Sequence, residues 1–151
     1  MFKHITHTTL YVTDQDEALA FYVDKLGMVV QTDADMDVMR YLTVTLPDDD
    51  SLELMLLLPG PPLHDEATAE QVRELIAKGG AGGGVIFETD DCVGTYERLR
   101  DLGVEFTQEP TERFYGTDCA LRDPFGNPLR FTERPATSAR PAGRAADAPP
   151  R

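Results

Sequence analysis

Polar and apolar positions alternate along His7-Thr8-Thr9-Leu10-Tyr11-Val12-Thr13-Asp14, which predicts a half-buried strand. The chain then changes to a helical period from Gln15 that glycine closes at Gly27. The same succession returns 76 residues later: Thr13-Asp14 falls on Thr89-Asp90, Val23 on Leu99, and Leu26-Gly27-Met28 on Leu102-Gly103-Val104. Three strand-like stretches follow each helix. They are expected at 28–35, 38–46 and 51–58 in the first half, with a turn at Pro47-Asp48-Asp49-Asp50, and at 104–108, 115–122 and 127–133 in the second. The last two are joined by the tight turn Asp123-Pro124-Phe125-Gly126-Asn127. Each half therefore reads βαβββ.

Between the halves, Pro59-Gly60-Pro61-Pro62 breaks the chain, and a helix is expected over 65–78 with Val72, Leu75 and Ile76 on one face. Thr68 and Gln71 suggest a capping box there. Gly79, Gly80, Gly82, Gly83 and Gly84 form a flexible entry to the second half. They precede a strand rather than opening a helix, and no Gly-Lys-Ser/Thr accompanies them, so a phosphate loop is not indicated.

The 151 residues suffice for one domain built from two small modules with a common core. Two cysteines, Cys92 and Cys119, give no disulfide framework, and the start carries no apolar signal core. The apolar run Leu54-Met55-Leu56-Leu57-Leu58 is far short of the roughly 20 residues of a membrane helix. A cytoplasmic protein is expected.

Charge narrows the partners. The net charge is −13, but residues 1–133 carry ten bases against 26 acids, or −16, and residues 134–151 carry four arginines against Asp147. Such an acidic body repels nucleic acid and anionic membrane and leaves neutral or cationic small molecules. The Pro/Ala/Arg tail over 134–151 lacks large apolar residues and is expected to be disordered.

The two βαβββ modules, the opening His-x-x-x-Tyr-Val-x-Asp, the Phe21-Tyr22 and Leu26-Gly27 pairs, and the Asp123-Pro124-x-Gly126-Asn127 turn together resemble the vicinal oxygen chelate superfamily. This is the group of glyoxalases, bleomycin-type resistance proteins, extradiol dioxygenases and related epimerases. The resemblance covers about residues 4–133. It implies an α+β fold in which two modules (about 4–58 and 83–133, joined by a connector and helix over 59–82) form a concave mixed-sheet cup with helices outside. It also implies a homodimer.

In metal-dependent members each module supplies a His or Gln from its first strand and a Glu from its last. Position by position, the resemblance makes His7 and Glu53 metal ligands of the first module, for an ion such as Zn, Ni, Fe or Mn. Strand alternation agrees, since His7 shares a face with Thr9 and Tyr11, and Glu53 with Met55 and Leu57. In the second module an offset of 76 takes His7 to Gly83, and an offset of 77 takes Glu53 to Arg130, a permanent cation. Two ligands beside an arginine are fewer than the three that catalytic metal sites usually have.

A metal-free site is therefore expected, with no cofactor and with Glu53 and Arg130 paired across the cup. His7 is a candidate general base, Glu53 its catalytic companion, and Tyr11, Tyr41, Tyr115, Asp118 and Arg130 are candidate ligand-binding groups. The expected function is binding of a neutral or cationic small molecule. The alternatives are a metal-dependent glyoxalase-like lyase, isomerase or dioxygenase using His7 and Glu53, and a metal-free isomerase or epimerase using His7.

Overall fold

The computed structural model describes residues 1–81 and 84–136; most of the tail at 134–151, and Gly83, lie outside the described residues. Module one comprises β1 (His7–Tyr11), α1 (Gln15–Leu19) continued by a π-helical stretch (Ala20–Lys25), β2 (Val29–Asp35), β3 (Arg40–Leu46) and β4 (Asp49–Leu57). A connecting helix α2 (Glu66–Ala77) leads to β5 (Val85–Glu88), α3 (Cys92–Asp101), β6 (Phe106–Arg113), β7 (Gly116–Arg122) and β8 (Pro128–Glu133). The two sheets have the orders β1-β4-β3-β2 and β5-β8-β7-β6. In each, the first strand runs parallel to the last and the other pairs are antiparallel. The duplication read from the sequence is thus a duplication of topology.

Period-two alternation gives each sheet one apolar face. Leu10, Val12, Leu42, Val44, Leu54 and Leu56 of the first sheet join Cys119, Leu121, Leu129 and Phe131 of the second in a single buried cluster, with Phe21, Tyr22, Ile76 and Leu99 from the helices. Burying each large side chain stabilises the fold by about 1.5–3 kcal/mol. Because both sheets turn their apolar faces to this shared core, their other faces point away from it.

Polar contacts lock the modules together. Tyr22 donates to Asp123 Oδ2 at 2.6 Å, and Asn127 Nδ2 donates to the Tyr11 carbonyl at 2.8 Å. Asp123 Oδ1 also accepts the backbone N–H groups of Phe125, Gly126 and Asn127, which fixes the Asp-Pro-Phe-Gly-Asn turn.

Several local expectations change. The first helix is half π-helical, with Leu26 N bonded to Phe21 O five residues back. Its caps explain the repeat arithmetic. Asp14 and Asp91 are the N-caps, 77 residues apart, whereas the glycine stops Gly27 and Gly103 are 76 apart. The π segment absorbs the one extra residue of the first helix. At α2 the cap is Asp65, whose side chain accepts from Thr68 N, and not the Thr68/Gln71 box. The expected turn over residues 47–50 shrinks to Pro47-Asp48, with Asp49 already paired to Leu46.

Candidate functional site

Corrected for the caps, the first-strand offset is 77, so His7 corresponds to Gly84 and Thr9 to Ile86. The ladders then decide what lies beside them. His7 faces Glu53 and Thr9 faces Met55 across β1 and β4, while Ile86 faces Arg130 across β5 and β8. Arg130 therefore stands at the position of Met55, and the counterpart of Glu53 is Pro128. The expected equivalence of Glu53 and Arg130 is two residues out of step, because β8 begins its pairing earlier than β4.

On the outward face of module one, His7 Nε2 lies 3.4 Å from Glu53 Oε2, and His7 Nδ1 lies 2.8 Å from Thr6 Oγ1. Both side chains are partly exposed, at 36% and 20%. The two expected first-module ligands are thus adjacent. Nε2 of the ring thus faces the Glu53 carboxylate and Nδ1 the Thr6 hydroxyl. Tyr41 donates to Met55 Sδ at 3.3 Å. Tyr11 and His64 meet with ring centroids 5.3 Å apart and planes tilted by 60°. The connector thereby brings His64 to this face, a placement that sequence alone, with His64 in a proline-rich loop, gives no reason to expect. Thr43, opposite Met55, is buried and its hydroxyl lacks a partner among the described residues, as does that of Thr45.

On the outward face of module two, Asp118 is fully buried and saturated. Its Oδ2 accepts Arg130 Nη1 in a short contact and Tyr115 Oη at 2.7 Å; its Oδ1 accepts Gln108 Nε2 at 2.8 Å and lies 3.7 Å from Arg113 Nε. Burial alone would raise the Asp118 carboxyl, but the donors of Tyr115, Gln108 and Arg130 outweigh it and hold it below the usual carboxylate range. The same contact with Asp118, aided by burial, raises the Tyr115 hydroxyl. Arg130 is thus paired within its own module and not with Glu53, because β7 supplies a carboxylate two residues along from the position directly opposite it. Gln108 and Arg113 were not foreseen; they reach Asp118 only through the bulged β6–β7 register.

A metal of the type the family uses would need donors from both modules. The 3.4 Å between His7 and Glu53 suits two donors on one ion as well as an ion pair, so the donor count decides. Gly84 offers no side chain and has no room for one: an added Cβ would lie 2.7 Å from the Pro128 carbonyl oxygen. The side chains of Pro128 and Arg130 offer no lone pair to a cation. Among the described residues no group of three or more His, Cys, Asp or Glu is placed to hold a metal ion. Of the positions that match the family's ligands, His7 and Glu53 carry donor side chains and Gly84 and Pro128 do not.

The cysteines are also out of play as nucleophiles. Cys92 and Cys119 are buried with Sγ atoms 3.6 Å apart, and desolvation pushes both thiols up, Cys119 to about 12.

Residues 4–131 match the family model for the Glyoxalase/Bleomycin resistance protein/Dioxygenase superfamily. The chain belongs to this superfamily. Among its relatives is the uncharacterized protein YurT of Bacillus subtilis (strain 168), 34% identical over 131 residues that make up 86% of this chain and 98% of YurT. Among solved structures, UcmS2 is 42% identical with a TM-score of 0.82, over 87% of this chain and 98% of that one. A superfamily member from Sphaerobacter thermophilus DSM 20745 is 27% identical with a TM-score of 0.70, over 88% and 98%. TnmS3, an antibiotic binding protein from Streptomyces sp. CB03234, shares the fold at 24% identity with a TM-score of 0.71, over 89% and 98%. No helix among the described residues is long and apolar enough to cross a membrane.

Proposed function

We propose that this superfamily member binds a small neutral or cationic molecule on the outward faces of its sheets, without the family's complete metal site. The donor set carries this reading: His7 and Glu53 stand together, but the matching place in module two holds Gly84 and Pro128, with Arg130 beside them. A superfamily fold that keeps its binding surface while losing half its ligands is suited to holding a molecule rather than polarising it. The name of TnmS3, an antibiotic binding protein of the same fold, agrees with a binding role.

The outward face of each module is turned away from the shared core. A homodimer in which the first face of one copy meets the second face of its partner would enclose the site. The −16 of residues 1–133 favours neutral or cationic ligands over anions.

The test is calorimetric titration of the EDTA-treated protein with 2-acetonaphthone, a small aromatic probe, together with light scattering of the eluting species. Saturable binding by a dimer supports the reading. Binding that requires added divalent metal would overturn it.

A further inference from the structure

The β6–β7 hairpin turns on Phe114-Tyr115, where two-residue turns favour Asn and Gly. Phe114 is 98% exposed and Tyr115 40% exposed, with their rings edge to face at 5.1 Å. An aromatic pair held in water at a turn contributes nothing to the core. Tyr115 is also tied by its hydroxyl to Asp118, the carboxylate that clamps Arg130.

Among the described residues Arg130 gives only Nη1 to its neighbours, Asp118 and Gln108 Oε1 (3.4 Å), and its side chain is 38% exposed. Its Nε and Nη2 donors remain available, on a planar group whose orientation the buried carboxylate fixes. On one side of it lies the Phe114-Tyr115 turn. On the other lies a groove of about 440 Å³ lined by Ile86, Ala120, Arg122 and Pro128 along with Arg130 itself. At the Phe114-Tyr115 end of the sheet Arg113, Arg130 and Arg134 are matched by Asp118, Glu112 and Glu133, whereas the groove end adds Arg122. A cationic group would meet Arg122 and Arg130 in the groove, whereas a neutral acceptor oxygen would find oriented donors.

Resting on the binding function proposed above, we infer that Arg130 anchors a carbonyl oxygen of a neutral aromatic ligand, whose rings lie along the groove and against Phe114 and Tyr115. Asp118 is a positioning residue that acts through Arg130. A hydrogen bond from a charged, pre-oriented donor is worth about tenfold or more in affinity.

The experiment compares three probes by calorimetry: 2-acetonaphthone, which carries a carbonyl; 2-ethylnaphthalene, which lacks an acceptor; and 2-naphthoate, which is anionic. The ketone should bind about tenfold more tightly than the hydrocarbon and the anion. Two variants test the anchor: Arg130→Lys, which keeps the ion pair but loses the planar fork, and the double variant Asp118→Asn with Arg130→Met, which removes both members of that ion pair. The ketone preference should shrink in the first and vanish in the second. Equal binding of ketone and hydrocarbon, or a preference that survives both variants, overturns the inference while leaving the binding function standing. Tighter binding of the anion overturns the neutral assignment. Failure of all three probes removes both the inference and the binding function.

Discussion

Tyr22 of module one donates its hydroxyl to Asp123 of module two at 2.6 Å, joining the π-helical stretch to the Asp-Pro-Phe-Gly-Asn turn inside the shared core. Burial, then the adjacent carboxylate, raises the Tyr22 hydroxyl far above its ordinary value. Two motifs that mark the family are thus the two halves of one contact between modules.

Tyr22→Phe removes the donor and leaves Asp123 Oδ2, among the described residues, with Asn127 Nδ2. A loss of about 1–3 kcal/mol is expected in urea unfolding at neutral pH. The hydroxyl is raised in the folded state, so its stabilisation is complete below about pH 10, the unfolded value, and declines as pH rises above it. The gap between the wild type and Tyr22→Phe should therefore be constant from pH 6 to 9 and alter only at higher pH. A variant as stable as the wild type would show that the contact is dispensable.

Asp118 gives the opposite pH dependence. Its carboxyl is lowered in the folded state, so it contributes above its unfolded value of about 3.9 and the contribution is lost as pH falls further. Asp118→Asn should be less stable than the wild type at pH 7, with the difference closing below about pH 4. A difference that persists undiminished into acid would mean that the carboxylate charge is not what matters.

Gly84 tests the loss of the second-module ligand. An added Cβ meets the Pro128 carbonyl oxygen at 2.7 Å, and backbone does not yield cheaply. Both Gly84→Ala and Gly84→His should lower stability by about 1–3 kcal/mol, and Gly84→His should acquire no zinc. Stable Gly84→His protein that takes up zinc with His7 and Glu53 would show that a single substitution restores the site.

Much of this was legible in the sequence because it depends on local pattern. Alternation set the faces of β1 and β4, so His7 and Glu53 could be placed together, and the glycine stops revealed the duplication. What was not legible depends on spacing between elements. The π-helical residue between Asp14 and Gly27 shifts the repeat from 77 to 76 without any marker in composition. The pairing of β8 with β5 moves Arg130 from the place of Glu53 to that of Met55. The partnership of Arg130 with Asp118 then follows from the β7–β8 register, and the docking of His64 on Tyr11 from the path of a loop.

The cysteine pair should be chemically quiet. With both thiols buried and raised, iodoacetamide should label neither Cys92 nor Cys119 in native protein at pH 8, and both after unfolding in urea. Rapid labelling of the native protein would reveal an opening of α3 from β7.

The metal content of untagged protein, purified without chelators and then dialysed against zinc, nickel, manganese and ferrous iron in turn, tests the proposed function most directly. Metal-independent binding predicts substoichiometric metal throughout and the same affinity for 2-acetonaphthone before and after EDTA. One divalent ion per chain, lost in His7→Ala or Glu53→Gln together with probe binding, would contradict it.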